Sequence, residues 1–292
     1  MDFGTVIARE GQEAIEDLAT LGYHLFGPVA DPKAAGALLK DVRKLRRFDH
    51  SLFLSEAEFD AQPQGKPADA APDANLLGRF VDRLAFVEKD PKIVAGLTGL
   101  LGAGYEIVDR DLVCGLPGST LPEWLKSRTH RRRLNDLGPY VRPEFRDMAY
   151  VHGADFRQDL VAHPEQEADV LTLCVYLHPV ARENAPLLLE NSHRLGATTF
   201  PHKLAREWDG VWTYRDDRGQ EARTRQIALT GGTGWAVLWH PCTLHGAPFD
   251  DGDRERITLR YRFAKQAGDL AGIDRVNAAL HGPLSLVDNR AA

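Results

Sequence analysis

Cysteine is scarce: Cys114, Cys174 and Cys242 are the only three in 292 residues, and they lie far apart. That excludes a disulfide scaffold and a thiolate zinc site, both of which need paired cysteines at short spacings. Long apolar runs are missing too, and none approaches the ~20 consecutive residues of a membrane-spanning helix. The opening MDFGTVIAREGQEAIEDL lacks the basic start and the long apolar stretch of a secretion signal. Nor is there an excess of positive charge, since 42 acidic side chains against 36 basic ones leave a net charge of −6. A general nucleic-acid or anionic-membrane binder is therefore not expected. What is present is the ordinary composition of a folded chain, 43% hydrophobic and 27% charged, with 11 histidines. The expectation is a soluble, cytoplasmic protein.

Helical spacing dominates the first third. Ala14, Ile15, Leu18 and Leu21 form one stripe within residues 11–21. A second helix is expected from Asp31 to about Phe48, with Asp31 as cap and Pro32 in the first turn. Ala35, Leu38, Leu39, Val42 and Leu45 make its apolar face, and GYHLFGPV between the two helices reads as a short strand. Residues 60–75, rich in Pro, Ala and Asp, have little to bury and read as a surface loop. Helical spacing returns over 76–101 through Leu77, Phe80, Val81, Leu84 and Val87, with a break near Pro91. Residues 119–146 contain SRTHRRR and YVRPEFR. They read either as a solvated basic segment or as a lid whose arginines, Arg131, Arg132 and Arg133 foremost, meet an anionic substrate.

From about residue 149 the pattern turns to β. LTLCVYL (171–177), PLLL (186–189), GWAVLW (234–239) and ITLRYRF (257–263) read as short strands, with GGTG (231–234) as the turn into the third. In the last strand Ile257, Leu259, Tyr261 and Phe263 share one face, and Arg256, Thr258, Arg260 and Arg262 share the other. The apolar face asks for a helical cover. The other face is costly to enclose unless a ligand, water or counter-charge fills the space it lines. This predicts a mainly β protein with helical decoration, a jelly roll or β-barrel around a polar cavity. One domain is expected, with a helical and β cover over 1–115, a loop or lid over 116–148, the jelly-roll core over 149–265 and a tail over 266–292.

The segments 152–202, with HGADFRQDLVAH and ENSHRLG, and 234–263, with TLHGAP and RERITLRYRF, resemble the phytanoyl-CoA dioxygenase family of iron(II)- and 2-oxoglutarate-dependent oxygenases. With the LGYHLFGPV opening, the resemblance covers most of the chain. It implies a double-stranded β-helix, a cupin-like jelly roll, with a His-x-Asp pair on one strand and a second His late in the fold. It also implies iron(II) and 2-oxoglutarate as cofactors. Asp159 matches the metal-binding carboxylate and His245 the distal metal-binding His. Arg256, eleven residues beyond His245, matches the arginine that takes the far carboxylate of 2-oxoglutarate. Thr258 shares the face of Arg256 and is a further candidate for that carboxylate. Thr172 and Tyr176 share a parity on their strand and read equally as cavity lining, with Thr172 near the cofactor, or as core. In ENSHRLG, Glu190 and Asn191 replace the family's Pro-Gly, and His193 reads as a surface or strand-end residue bonded to backbone.

One position departs from the family. Two residues before Asp159, where the family has its proximal His, stands Arg157. Iron in such sites is held on one face by two imidazoles and one carboxylate, leaving three positions for co-substrate and oxygen. A guanidinium has no lone pair to offer. His152, five residues before Arg157, has the wrong parity to share its strand face, and neither His152 nor His163, four residues past Asp159, is expected to stand in as the ligand. His178 and His240 read as strand-end residues, Cys174 as a small buried residue, and a Cys242–His245 nucleophile pair lacks a third residue to orient it. Two readings stand. One is an oxygenase that oxidises a C–H bond of a small organic molecule, with Asp159, His245 and Arg157 at its reactive centre. The other is a chain that keeps the fold without iron, as a non-catalytic subunit, a ligand-binding protein or a non-oxidative enzyme.

Overall fold

The computed structural model describes residues 3–62, 75–130, 132–134, 136–162, 169–198, 203–207, 210–215, 221–248, 254–266, 271–278 and 280. The chain begins with α1 (Phe3–Leu21), β1 (Tyr23–Pro28) and α2 (Pro32–Leu45). Asp31 caps α2 by accepting the Lys33 amide at 2.8 Å, and Pro32 occupies the first turn, where its missing N–H has no partner to lose. The α2 face is buried through Ala35, Leu38, Leu39 and Val42, whereas Leu45 at its end is exposed. The short α3 (Glu56–Asp60) starts with a reciprocal Ser55–Glu58 cap. Most of the loop expected over 60–75 lies outside the described residues.

The helical spacing over 76–101 resolves into a 3-10 segment (Leu76–Arg83), α4 (Ala85–Glu88) and α5 (Pro91–Leu101). Val81 faces solvent because a 3-10 turn repeats every three residues and rotates it off the stripe that an α-helix would bury. Asp90 restarts the helix by accepting the Lys92 and Ile93 amides. Then follow β2 (Glu106–Gly115), α6 (Glu123–Arg128), β3 (Ala149–Val151), β4 (Ala154–Arg157), α7 (Asp159–Ala162) and β5 (Val170–Tyr176). The chain continues through β6 (Leu187–Leu189), β7 (Lys203–Arg206), β8 (Val211–Arg215), β9 (Glu221–Ala228), β10 (Trp235–Trp239), β11 (His245–Ala247), β12 (Arg256–Ala264) and α8 (Gly272–Asn277).

These strands form two six-stranded sheets, ordered β1-β10-β5-β12-β2-β3 and β4-β11-β6-β9-β8-β7. Neighbours pair antiparallel except β2 with β3. The result is a jelly roll with helical decoration, one of the two folds that the strand pattern allows and the one that the resemblance implies. β1 and β2, from the first 115 residues, pair with β10 and β12 of the C-terminal half inside one sheet. β12 organises the core. Ile257, Leu259, Tyr261 and Phe263 are at most 2% exposed and join the helical residues Leu18, Leu38, Val42, Leu97 and Leu100 in the main apolar cluster. Burying side chains of this size stabilises the fold by roughly 1.5–3 kcal/mol each. The alternate residues Arg256, Thr258 and Arg260 line a cavity on the other side.

β2 answers the charges of β12 residue for residue. Arg260 opposes Asp111 and Arg262 opposes Asp109 in the register, and each pair is bonded, Arg260 to Asp111 at 2.7 Å. Three of the arginines in 119–146 are likewise matched. Arg128 bonds Glu56 and Asp60, Arg142 bonds Glu58, and Arg133 bonds Asp155. These three staple the segment to α3 and β4 and do not line the cavity, which corrects the lid expectation for them. Arg131 lies outside the described residues. Among the described residues no helix is long and apolar enough to cross a membrane.

Candidate functional site

The cavity lies between the two sheets, has a volume of about 90 Å³ and opens to solvent. β4 ends at Arg157, which reaches this cavity. Asp159 follows two residues later, past the strand end, as the first residue of α7. Between them Gln158 turns inward and is fully buried. Its amide nitrogen donates to the Gly196 and Cys242 carbonyls at 2.8 and 2.5 Å, and its oxygen accepts the Thr198 amide at 2.8 Å. That anchor fixes the backbone on which Arg157 and Asp159 both turn toward the cavity. The sequence gives no sign of this role, because every partner of Gln158 lies at least 38 residues away.

Asp159 is held by both oxygens. Oδ2 accepts the Thr172 hydroxyl at 2.8 Å and the Trp239 indole N–H at 3.0 Å. Thr172 and Trp239 are register partners on β5 and β10, so the sheet itself sets their convergence. Oδ1 lies 3.3 Å from His245 Nε2. Burial alone would raise this carboxyl, but His245, the Thr172 hydroxyl and the Arg260 charge outweigh it and hold Asp159 far below the usual carboxylate range. Thr172 thus orients the carboxylate. Trp239 does the same, although the sequence marks it only as a strand end.

His245 opens β11 directly opposite Arg157 of β4. Its Nδ1 lies 3.0 Å from the Thr243 carbonyl, which can only accept, so Nδ1 carries the hydrogen. A neutral His245 then turns the lone pair of Nε2 toward an ionised carboxylate oxygen. Two acceptors at this separation require a cation between them, either a proton or a metal ion. Donor atoms about 2.1 Å from a metal and at right angles to each other lie about 3.0 Å apart. The pair therefore fits two adjacent positions of a metal ion. A third side chain does not join them: among the described residues no group of three His, Cys, Asp or Glu is placed to hold a metal. Arg157 stands at that side instead. Burial pulls its pKa down, Asp159 and Asp136 oppose that from a distance and Arg260 adds to it. A guanidinium keeps its charge throughout.

Arg256 is buried deeper in the cavity and donates to the Asn184 carbonyl. Its register partner is Gly115, where an added Cβ would come within 3.1 Å of the guanidinium. The glycine leaves the space the guanidinium needs. Thr258, on the same face, lies 3.5 Å from the Val113 carbonyl and completes this wall.

The remaining candidates lie elsewhere. His152 is buried with Nδ1 2.9 Å from the Leu116 carbonyl, and His163 lies outside the described residues. His178 accepts the Ile257 amide, and His240 accepts the Cys242 amide while its Nε2 meets the Asn277 side chain. His193 is not a surface residue. It is fully buried, neither ring nitrogen has a hydrogen bond of normal geometry, and burial followed by the His240 and Arg194 charges lowers its pKa to about 3. Burial pushes the Cys242 thiol up to about 12, the wrong direction for a nucleophile. Tyr176 donates to the Leu229 carbonyl and belongs to a separate apolar cluster, so of the two parity mates on β5 only Thr172 serves Asp159.

No protein-family model matches the chain, and no curated protein matches it. Solved structures do. The non-heme α-ketoglutarate-dependent epimerase SnoN from nogalamycin biosynthesis superposes with a TM-score of 0.52 at 14% identity, over 90% of this chain and 84% of SnoN. SnoN in complex with Fe3+, α-ketoglutarate and nogalamycin RO gives 0.53 at 13% identity over the same shares. The non-heme α-ketoglutarate-dependent carbocyclase SnoK from the same biosynthesis gives 0.50 at 14% identity, over 87% of this chain and 83% of SnoK. At such identities the likeness is one of fold: this chain shares the jelly roll of these structures.

Proposed function

We propose that this chain is an oxygenase similar to the phytanoyl-CoA dioxygenase family, dependent on iron(II) and 2-oxoglutarate and acting on a C–H bond of a small organic molecule. One observation carries the reading. His245 Nε2 and Asp159 Oδ1 converge at 3.3 Å, while the Thr243 carbonyl fixes the imidazole and Thr172 and Trp239 fix the carboxylate. Asp159 and His245 would hold the metal. Iron with 2-oxoglutarate and oxygen supplies the oxidising power when bound. The chain contributes binding, orientation and dryness. Arg256 presents a planar fork to a carboxylate, with Thr258 beside it as a hydroxyl donor. Trp239, Val113 and Val151 line the same cavity and limit water. The SnoN complex with Fe3+, α-ketoglutarate and nogalamycin RO supports the reading as a case of this fold with such a ligand set.

The test is anaerobic addition of iron(II) and 2-oxoglutarate. The expected result is a visible charge-transfer absorption band and one iron per chain by metal analysis. No band and no iron at millimolar reagent would sink the reading.

Arg157 favours a second reading. Here a proton lies between His245 and Asp159, iron is absent, and the cavity serves a ligand-binding protein, a non-catalytic subunit or a non-oxidative enzyme. The same titration decides between the two.

A further inference from the structure

Three arginines line the cavity, and their partners differ. Arg260 is matched by Asp111 at 2.7 Å. Arg256 donates to a carbonyl, that of Asn184, and has no acidic partner among the described residues. Among the described residues Arg157 has neither a hydrogen bond nor an ion pair, and Asp159 and Asp136 act on it only at a distance. The carboxylate lining the cavity is Asp159, whose Oδ2 is taken by Thr172 and Trp239 and whose Oδ1 faces His245. Two guanidinium groups, one from each sheet, therefore line one cavity without a bonded carboxylate among the described residues. Enclosed charges of like sign are costly, and a ligand bearing two negative charges relieves both at once.

We propose that Arg157 and Arg256 together form a metal-independent site for a dicarboxylate, each guanidinium taking one carboxylate. The position of Arg157 thereby gains a binding role that an imidazole ligand would not have. The inference shares with the proposed function the carboxylate-binding role of Arg256; the part assigned to Arg157 is independent of iron.

Isothermal titration of metal-stripped protein, with residual metal checked by mass spectrometry, tests this using succinate, glutarate, 2-oxoglutarate and the monocarboxylate propionate. Dicarboxylates should bind at least tenfold more tightly than propionate. Arg157→Gln should weaken dicarboxylate binding tenfold or more with propionate little changed. Arg157→Lys, which keeps the charge and loses the fork, should lose less than Arg157→Gln. Parent protein that ignores dicarboxylates without metal overturns the inference, as does Arg157→Gln protein that binds them as tightly as the parent. Equal losses in both variants together with a lowered melting temperature would mark structural damage and overturn it too. A charge-transfer band with iron but no metal-free binding defeats this inference alone. Metal-free binding with no band defeats the oxygenase reading alone.

Discussion

Arg157 and His245 stand opposite one another as register partners on β4 and β11, at the wall of a cavity that Asp159 also enters. An imidazole at 157 would start from a backbone position facing His245 and two residues from Asp159. The Arg157→His variant is therefore expected to bind iron(II) or cobalt(II) at least tenfold more tightly than the parent. Equilibrium dialysis with metal analysis measures it. Unchanged affinity would show that the cavity has diverged at more than this residue.

The carboxylate of Asp159 depends on two donors that reach one oxygen. Thr172→Val keeps the shape of the side chain and removes the hydroxyl. It should lower stability by roughly 1–3 kcal/mol, because a buried ionised oxygen loses a donor. Trp239→Phe should act in the same direction. The double variant should depart from additivity, since both donors serve Oδ2. Urea unfolding of the four proteins reads these values.

Stability should fall as the pH drops from about 6.5 toward 3. His193 is held neutral in the fold with its pKa at about 3, whereas an unfolded histidine titrates near 6.5. Between those values the unfolded chain binds the extra proton, so protonation favours unfolding by up to about 1.4 kcal/mol per pH unit. His193→Leu should flatten this limb of the curve in thermal melts run from pH 3 to 7. An unaltered slope would assign the acid sensitivity to other groups.

Gly234 turns the chain into β10 at a φ of +80°, and its carbonyl accepts the Val29 and Ala30 amides. A Cβ there would collide with the Ala30 carbonyl. Gly234→Ala should destabilise by roughly 1–3 kcal/mol from the backbone conformation alone, with the collision adding to it. A lowered melting temperature in calorimetry is the readout.

Local patterns in the sequence carry a good part of this structure. The alternation of β12 names both its core face and its cavity face, and the Asp31-Pro32 start of α2 stands where the fold places it. Asp159, His245, Arg256, Thr258 and Arg157 all line one cavity, and Thr172 bonds Asp159 beside it. What was not legible depends on distant partners. β2 looks too charged for a sheet interior until Asp109 and Asp111 meet Arg262 and Arg260, roughly 150 residues away. The part played by Trp239 follows from its register with Thr172, and that of Gln158 from three backbone groups far along the chain. His193 reads as polar and near the surface, yet it is fully buried with Gly22 against its ring. Pairings such as these are set by topology, which no local period encodes.

β12 keeps packing and chemistry on opposite faces of one strand. Apolar side chains against the helices hold the fold, and the cavity-lining residues occupy the alternate positions. A substitution in the cavity can therefore change what the cavity holds while the core that folds the chain is left untouched. Arg157 fits this arrangement: it alters what the cavity can hold without entering the helix-covered layer. A jelly roll organised in this way lets a cavity side chain be exchanged without disturbing the layer that folds the chain.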